Sequence, residues 1–481
     1  MAVINEHSPQ SDIDFAMPFV FSLFAKAWYG DVSVTAQTEN FMKILLTILF
    51  SLILNFTNAQ FVTLSVDTVI YGIWDLQGKT LNINGKISGN VIIKNAIIEA
   101  NRYAQIFDTN VALENCKTDN FSVAWYGAKP TNTDNSEAFQ KSSDMCIKNN
   151  IYNLFIPEGA YTISNSWLLR NLYNGRYIPW SLHIKGQGNI WSNKTLLRYS
   201  GNSFAVGMQL AKGVIFEGIA ITGVYSAPLN LGQEYYFSDF PVVPGYSGLV
   251  IDYDGTNLTS GSTGVRIKDT WIEKFDVCYD ISPNGVTYNA DIIKLENIKV
   301  GNCRVGVRSG QAQEKGNEIN NIVAWGNTQI LIQIGKSGKW QAGHYIVRGG
   351  NIAGNVIQLF DVQLSGWNSF TVYGLYAEGI ARLGYFSAQT SQHKIPIELD
   401  GLNIRFAPQS LAGKQNLIYS WAQRLMISNS NLWYYGVVGD TMTFAGYCTF
   451  NNVDFGLSKW QNNYINHLDY SNGNFIIKRT Q

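Results

Sequence analysis

Four aspartates and two arginines stand out in a chain with few charges: Asp252, Asp254, Asp276, Asp280, Arg304 and Arg308. They sit in or beside short apolar segments, LVIDYD (Leu249–Asp254), FDVCYDI (Phe275–Ile281) and CRVGV (Cys303–Val307), and QILIQI (Gln329–Ile334) follows. Read as strands, these segments send Leu249, Ile251, Tyr253, Val277, Tyr279, Ile281, Val305 and Val307 to one side. The other side then carries the aspartates, the arginines, Cys278, Gln329 and Gln333. If the strands stack, rungs lie about 4.8 Å apart and alternate residues about 6.6 Å apart. Carboxyls that close raise one another's pKa, which suits a general acid. Paired carboxyls about 5–9.5 Å apart are what glycoside hydrolysis uses. A lyase could instead hold Ca²⁺ with the same oxygens, with the arginines neutralising a uronate carboxylate. The structural alternative is a solvated face with Asp–Arg pairs from rung to rung.

The longest interruption in the strand pattern comes just before LVIDYD. It reads YSAPLNLGQEYYFSDFPVVPGYSG (Tyr225–Gly248) and carries Tyr235, Tyr236, Phe237, Phe240 and Tyr246. Loops this long in compact folds are usually functional or disordered. Aromatic rings with a polar edge can stack on sugars. Tyr235, Tyr236, Phe237 and Phe240, with Gln329 and Gln333, are therefore the expected substrate-binding residues. The alternative is that the aromatics simply pack on a wall of strands.

The elements that would position this set repeat. Short strands end in a turn residue at Asp269, Asn297, Asn321, Gly349, Gly374, Gly401, Asn429 and Asn452. The spacing is about 25 residues. Gly, Asn and Asp tolerate the left-handed backbone of a sharp bend. Two positions earlier stand Ile267, Leu295, Ile319, Val347, Val372, Leu399, Ile427 and Phe450, all apolar. One buried column of a stacked coil requires this pattern. The expected fold is all-β, a parallel β-helix. A second charged face, including Arg266, Lys268, Lys294, Glu296 and Glu318, alternates in sign between rungs and reads as an ion-pair ladder.

Composition narrows the function classes. The 481 residues carry 35 basic and 35 acidic side chains, a formal net charge of zero. A general nucleic-acid binder shows a basic excess, so nucleic acid is not an expected partner. The five cysteines, Cys116, Cys146, Cys278, Cys303 and Cys448, contain no C-x-x-C pair. They read as isolated thiols. Strand alternation sends Cys278 outward and Cys303 inward, against a disulfide between them. The scattered histidines show no metal spacing.

MKILLTILFSLILNFTNAQ (Met42–Gln60) has the layout of a secretory signal peptide. Residues 42–59 are expected to be removed, and residues 1–41 to be an upstream extension outside the mature protein. Ile44–Phe56 is short against the about 20 residues of a membrane span. Membrane contact is expected only through secretion, to a periplasmic or extracellular site; a signal anchor is the alternative.

The stretch Val123–Ser164 is more specific. It runs strand, Gly127-Ala128-Lys129, a turn with Asp134, a helix Ser136–Lys148, then a strand region with Pro157, Gly159 and Tyr161. It resembles the opening segment of the pectate-lyase-like β-helix superfamily. The preceding IWDLQGKTLNINGKISGNVIIKNAIIEA resembles the strand-rich region before it in secreted bacterial members. The resemblance implies a single-stranded, right-handed parallel β-helix over 121–456 with an N-terminal capping helix. A strand-rich region at 60–120 and a small C-terminal cap at 457–481 complete it. The implied cleft is the outer face of the third strand of each coil, where the Asp/Arg set falls. The superfamily holds polygalacturonases, pectate lyases, other glycan-cleaving enzymes and phage tailspikes. It implies a polysaccharide partner, acidic given the arginines, and a monomer or homotrimer. The bond would be cleaved by hydrolysis or by β-elimination with Ca²⁺; the alternative is a non-catalytic glycan-binding or tailspike-like protein. NTD (Asn132–Asp134) and RIK (Arg266–Lys268) match polygalacturonase motifs. The first lies before the coils and the second lacks its companion motifs, so neither is read as catalytic.

Overall fold

A computed structural model describes residues 60–478 except 171, 174–175, 178–180, 225–245, 254–260, 284–289, 311–315, 336–342, 354–355, 366–367, 390–396, 407–415, 423, 435–440, 446, 456–463 and 471–473. The chain forms two compact units. The first runs to Ala128 and includes Glu137–Phe155; the second holds Lys129–Ser136 and everything from Ile156.

The first unit is a short parallel coil in its own right. Phe61–Leu64, Thr80–Ile83 and Ile97–Ala100 stack in register. Gly72–Asp75, Val91–Lys94 and Ala112–Glu114 form a second stack. The inward residues Leu64, Trp74, Leu81, Ile83, Ile93, Ile98 and Leu113 are buried. One corner is turned by Asn95 and Asn115, both left-handed (φ 53° and 54°). Asn115 Nδ2 donates to Asn95 Oδ1 at 2.6 Å, and Asn95 Nδ2 to Asp75 Oδ1 at 2.9 Å. The helix forms at Ser136–Asn149. Its apolar residues Ala138, Phe139, Met145 and Ile147 are buried. Asn149 accepts from the Cys116 N–H (2.9 Å) and donates to the Leu113 carbonyl (3.2 Å). These bonds satisfy two backbone groups in and beside the strand Ala112–Glu114.

The second unit is the expected parallel β-helix. A first sheet includes Arg266–Lys268, Lys294–Glu296 and Glu318–Asn320 in register. After a corner, Thr270–Glu273, Ile298–Gly301 and Ile322–Trp325 form the second sheet. Val277–Ile281, the segment to Ser309, and Thr328–Ile334 form the third. All eight expected turn residues have left-handed backbone, φ from 47° at Asn429 to 69° at Gly374. Adjacent Asx side chains link: Asn297 donates to Asp269, and Asn321 to Asn297 at 2.9 Å. Ile267, Leu295, Ile319, Val347, Val372, Leu399, Ile427 and Phe450 are paired in one continuous register. All are buried, each contributing about 1.5–3 kcal/mol relative to exposure.

The charged ladder on the first sheet also forms. Arg266 pairs with Glu296 (2.5 Å), Lys294 with Glu318 (3.7 Å) and Lys268 with Glu217 (3.4 Å). The RIK residues therefore hold rungs together. At the C-terminal end, Tyr464–Tyr470 and Asn474–Lys478 run antiparallel to Tyr447–Asp454 and Thr441–Ala445.

Candidate functional site

The third sheet brings most of the expected set together, but as buried pairs. Arg304 grips Asp276 with two parallel hydrogen bonds, Nε to Oδ1 at 2.7 Å and Nη2 to Oδ2 at 2.6 Å. Arg308 grips Asp280 the same way, at 2.9 and 2.5 Å. Ser247 Oγ adds a third donor to Asp280 at 2.9 Å. Asp276, Asp280, Arg304, Gln329 and Gln333 are buried, and Arg308 is half-buried. The rung-to-rung Asp–Arg pairs are present, but Asp276, Asp280 and Arg304 are withdrawn from water and only Arg308 is partly exposed. A charge can be buried when its partner supplies both opposite charge and hydrogen bonds. The expected mutual repulsion of the carboxylates is offset because each faces a guanidinium.

Alternation is not regular along this sheet, and one expectation falls with it. Ser247 pairs with Val277, yet its hydroxyl meets Asp280. A Cβ placed on Gly248 would lie 2.2 Å from Ile272 Cγ2 in the core. Cys278, in the next rung, donates to the Ile272 carbonyl at 3.2 Å. With its thiol against Ile272 and beside Cys303, Cys278 points inward instead of outward. Burial pushes its thiol well up, and the neighbouring Cys303 adds to this. Both cysteines are free, as are the other three.

Asp252 is built differently. It ends the strand Ser247–Ile251 in a left-handed conformation (φ 56°). Its carboxylate accepts from the Ser262 N–H (2.9 and 3.1 Å) and from Ser262 Oγ at 2.6 Å. Burial pushes this carboxyl up, while the Ser262 bonds pull it down; burial prevails. The direction matches the expectation for a general acid, but the cause is desolvation and not a neighbouring carboxylate. Asp254, Tyr235, Tyr236, Phe237 and Phe240 lie outside the described residues.

Sequence reasoning missed the length of the polar column. Asp280, Arg308, Gln333, Asp361, Tyr385 and Tyr419 occupy successive rungs at one register position. Gln333 Nε2 donates to Asp361 Oδ2 at 2.9 Å. Tyr385 and Tyr419 stack with ring centroids 5.5 Å apart. Both tyrosines are half-exposed, as are Gln358 and Arg382 beside them. The sequence signal that pointed here is weak: a polar residue or tyrosine recurs once per coil, in strands that carry other polar residues as well.

Among the described residues no group of three or more His, Cys, Asp or Glu side chains is placed to hold a metal. Asp276 and Asp280 turn both oxygens to guanidinium groups. That donor set does not fit Ca²⁺, which needs several open oxygens. Asp134 of the NTD motif caps the helix. It accepts from the Ser136 N–H and Oγ and from the Ser164 N–H and Oγ. Despite partial burial, these bonds hold its carboxyl down at about 2.

No family model matches the sequence, and no curated protein matches it. Solved structures do show a likeness. The Agl-KA catalytic domain is 15% identical with a TM-score of 0.40, over 69% of this chain and 58% of that one. The catalytic domain of a GH87 alpha-1,3-glucanase in complex with nigerose is 12% identical with a TM-score of 0.38, over 69% and 64%. PfbA, a surface adhesin of Streptococcus pneumoniae, is 10% identical with a TM-score of 0.37, over 75% and 98%. The chain thus spans under two thirds of the length of the first two. The likeness is one of fold alone; the parallel register of the coils is seen in this chain itself.

Proposed function

We propose that this chain binds a polysaccharide along the outer face of the third sheet. The observation that supports this is the polar and aromatic column from Asp280 to Tyr419, kept in register through six rungs. Its half-exposed members suit an acidic glycan. Arg308 and Arg382 offer guanidinium groups to uronate carboxylates. Tyr385 and Tyr419 offer ring faces to sugars. The buried pairs beneath Arg308 fix its orientation, so little side-chain entropy remains to be lost on binding. The test is electrophoresis through gels cast with polygalacturonate, alginate or a neutral alpha-1,3-glucan. The wild-type protein should be retarded by at least one polymer, and Tyr385→Ala and Tyr419→Ala should each weaken retardation several-fold. Retardation by none of them, or variants that migrate like the wild type, would sink the reading.

A second reading is cleavage of the glycan by hydrolysis or β-elimination. One observation favours it: the Asp252 carboxyl is pushed up by burial, as a general acid requires. Reducing ends released by the wild type and lost in Asp252→Asn would support it. Unsaturated products seen in the ultraviolet would mark elimination. Secretion through a signal peptide at 42–59 belongs to the same proposal. Sequencing the N-terminus of exported protein should give Gln60 first; a product still beginning before Met42 would contradict it.

A further inference from the structure

The second sheet carries chemistry that the third-sheet column does not use. Leu196, Ala220, Trp271, Lys299 and Val323 share one register position on successive rungs. Lys299 is only 5% exposed. Among the described residues its ammonium has no hydrogen-bond or ion-pair partner. It lies instead against three indoles, 3.7 Å from the ring centre of Trp271, 4.9 Å from Trp191 and 5.4 Å from Trp325. Burial pushes this lysine below its ordinary range, with Glu273 pulling the other way.

Trp191 and Trp325 are 67% and 58% exposed. They come from different elements: Trp191 from a turn held by its N–H to Asn189 Oδ1 (2.8 Å), Trp325 from the strand Asn317–Ile334. The Trp271 indole N–H is buried with no acceptor among the described residues. Beside them opens a shallow depression lined by Asn193, Leu196, Thr222, Trp271 and Glu273, among others.

A packing explanation covers only part of this. Three ring faces offset some of the ammonium's lost hydration, at about 0.5–2 kcal/mol each. They leave its three N–H donors without an acceptor. Exposed indoles gain nothing from water on their faces. A ligand that completes the site needs an apolar face for the indoles and an anionic oxygen for the ammonium. It also needs hydroxyls that Glu273 and Asn193 can engage. A uronate ring has all three.

We propose that Trp191, Trp271, Trp325 and Lys299 form a second glycan site, which docks an acidic pyranose unit with its ring on the exposed indoles and its carboxylate on Lys299. The proposal takes only the class of ligand from the function proposed above; none of its residues belongs to the third sheet. A second site on a different face would anchor a polymer while the third-sheet column engages another stretch of it. Linking two weak contacts in this way raises overall affinity without new contacts at either one.

The test uses the same gels with Trp191→Ala, Trp325→Ala and Lys299→Met, each checked for native far-ultraviolet circular dichroism. The two indoles are exposed, so their removal leaves the coil packing intact. Either alanine variant should weaken binding to polygalacturonate or alginate about tenfold. Lys299→Met should weaken binding to the acidic polymers more than to the neutral glucan. Trp191→Ala and Trp325→Ala proteins that bind both acidic polymers like the wild type would overturn the inference. If Tyr385→Ala and Tyr419→Ala then remain defective, the third-sheet function survives while this site does not. Equal losses on acidic and neutral polymers in Lys299→Met would overturn the assignment of a uronate.

Discussion

Arg304 and Asp276 form a two-bond fork between adjacent rungs, and solvent reaches almost none of either side chain. Breaking one half leaves the other charge buried and alone. Arg304→Met should therefore cost about 3–5 kcal/mol of stability. The double variant Asp276→Leu/Arg304→Met should recover most of that loss. Urea unfolding of the three proteins decides it; a single variant no less stable than the double one would contradict the buried-pair account.

Asn297 turns the corner between the first and second sheets at φ 51°, donates to Asp269 and accepts from Asn321. Asn297→Ala removes both side-chain bonds and places a Cβ-bearing residue without local support in left-handed backbone. The expected loss is about 2–3 kcal/mol, from about 1 for each bond and a further fraction for the backbone. Asn297→Gly restores the backbone freedom and should lose less, which a pair of denaturation curves will show.

Two glycines should respond in opposite degrees. A Cβ on Gly374 meets nothing within 4 Å, although φ is 69°. Gly374→Ala should cost only the backbone term of about 1–2 kcal/mol, and Gly374→Asn less, since Asn fills that turn elsewhere. A Cβ on Gly248 would collide with Ile272 Cγ2 at 2.2 Å. Gly248→Ala should lower the melting temperature further than Gly374→Ala does. Equal melting temperatures would refute the close approach.

Asp134 and Asp252 should give opposite pH signatures. The Asp134 carboxyl sits at about 2, below its ordinary 3.8. Its stabilising bonds are fully present above pH 3.8 and are lost as pH falls through 2. Asp134→Ala should melt below the wild type at neutral pH, with the gap closing in acid. Asp252 is raised, so its contribution is present below the ordinary carboxyl pKa and lost as pH rises through the raised value. Relative to the wild type, Asp252→Asn should gain stability as pH rises. Melting curves across the acid range separate the two.

The coil was legible because its signals are local and repeated. Asn297 and Asn321 announce a left-handed corner by residue type alone, and Leu295 and Ile319 two places earlier announce a buried column. The Asp/Arg partnership was half legible: the residue types were visible, while their burial depended on what covers the sheet. Cys278 was misplaced because strict alternation was assumed across a segment whose side chains are all buried, so burial pattern leaves no mark of which way each one points. The Trp191–Lys299 contact was beyond reach. Trp191 stands in a turn, outside the strand register that carries Trp271 and Lys299, so no repeat in the sequence brings the rings together.

The antiparallel strands Tyr464–Tyr470 and Asn474–Lys478 have a consequence for assembly. Every rung of a parallel stack is a template for the next, so an open last rung would invite a second molecule to continue the growth. A strand laid down in the reverse direction occupies the hydrogen-bonding groups of the strand it pairs with. In the language of polymers, these two reversed strands act as a chain terminator on the edge they cover.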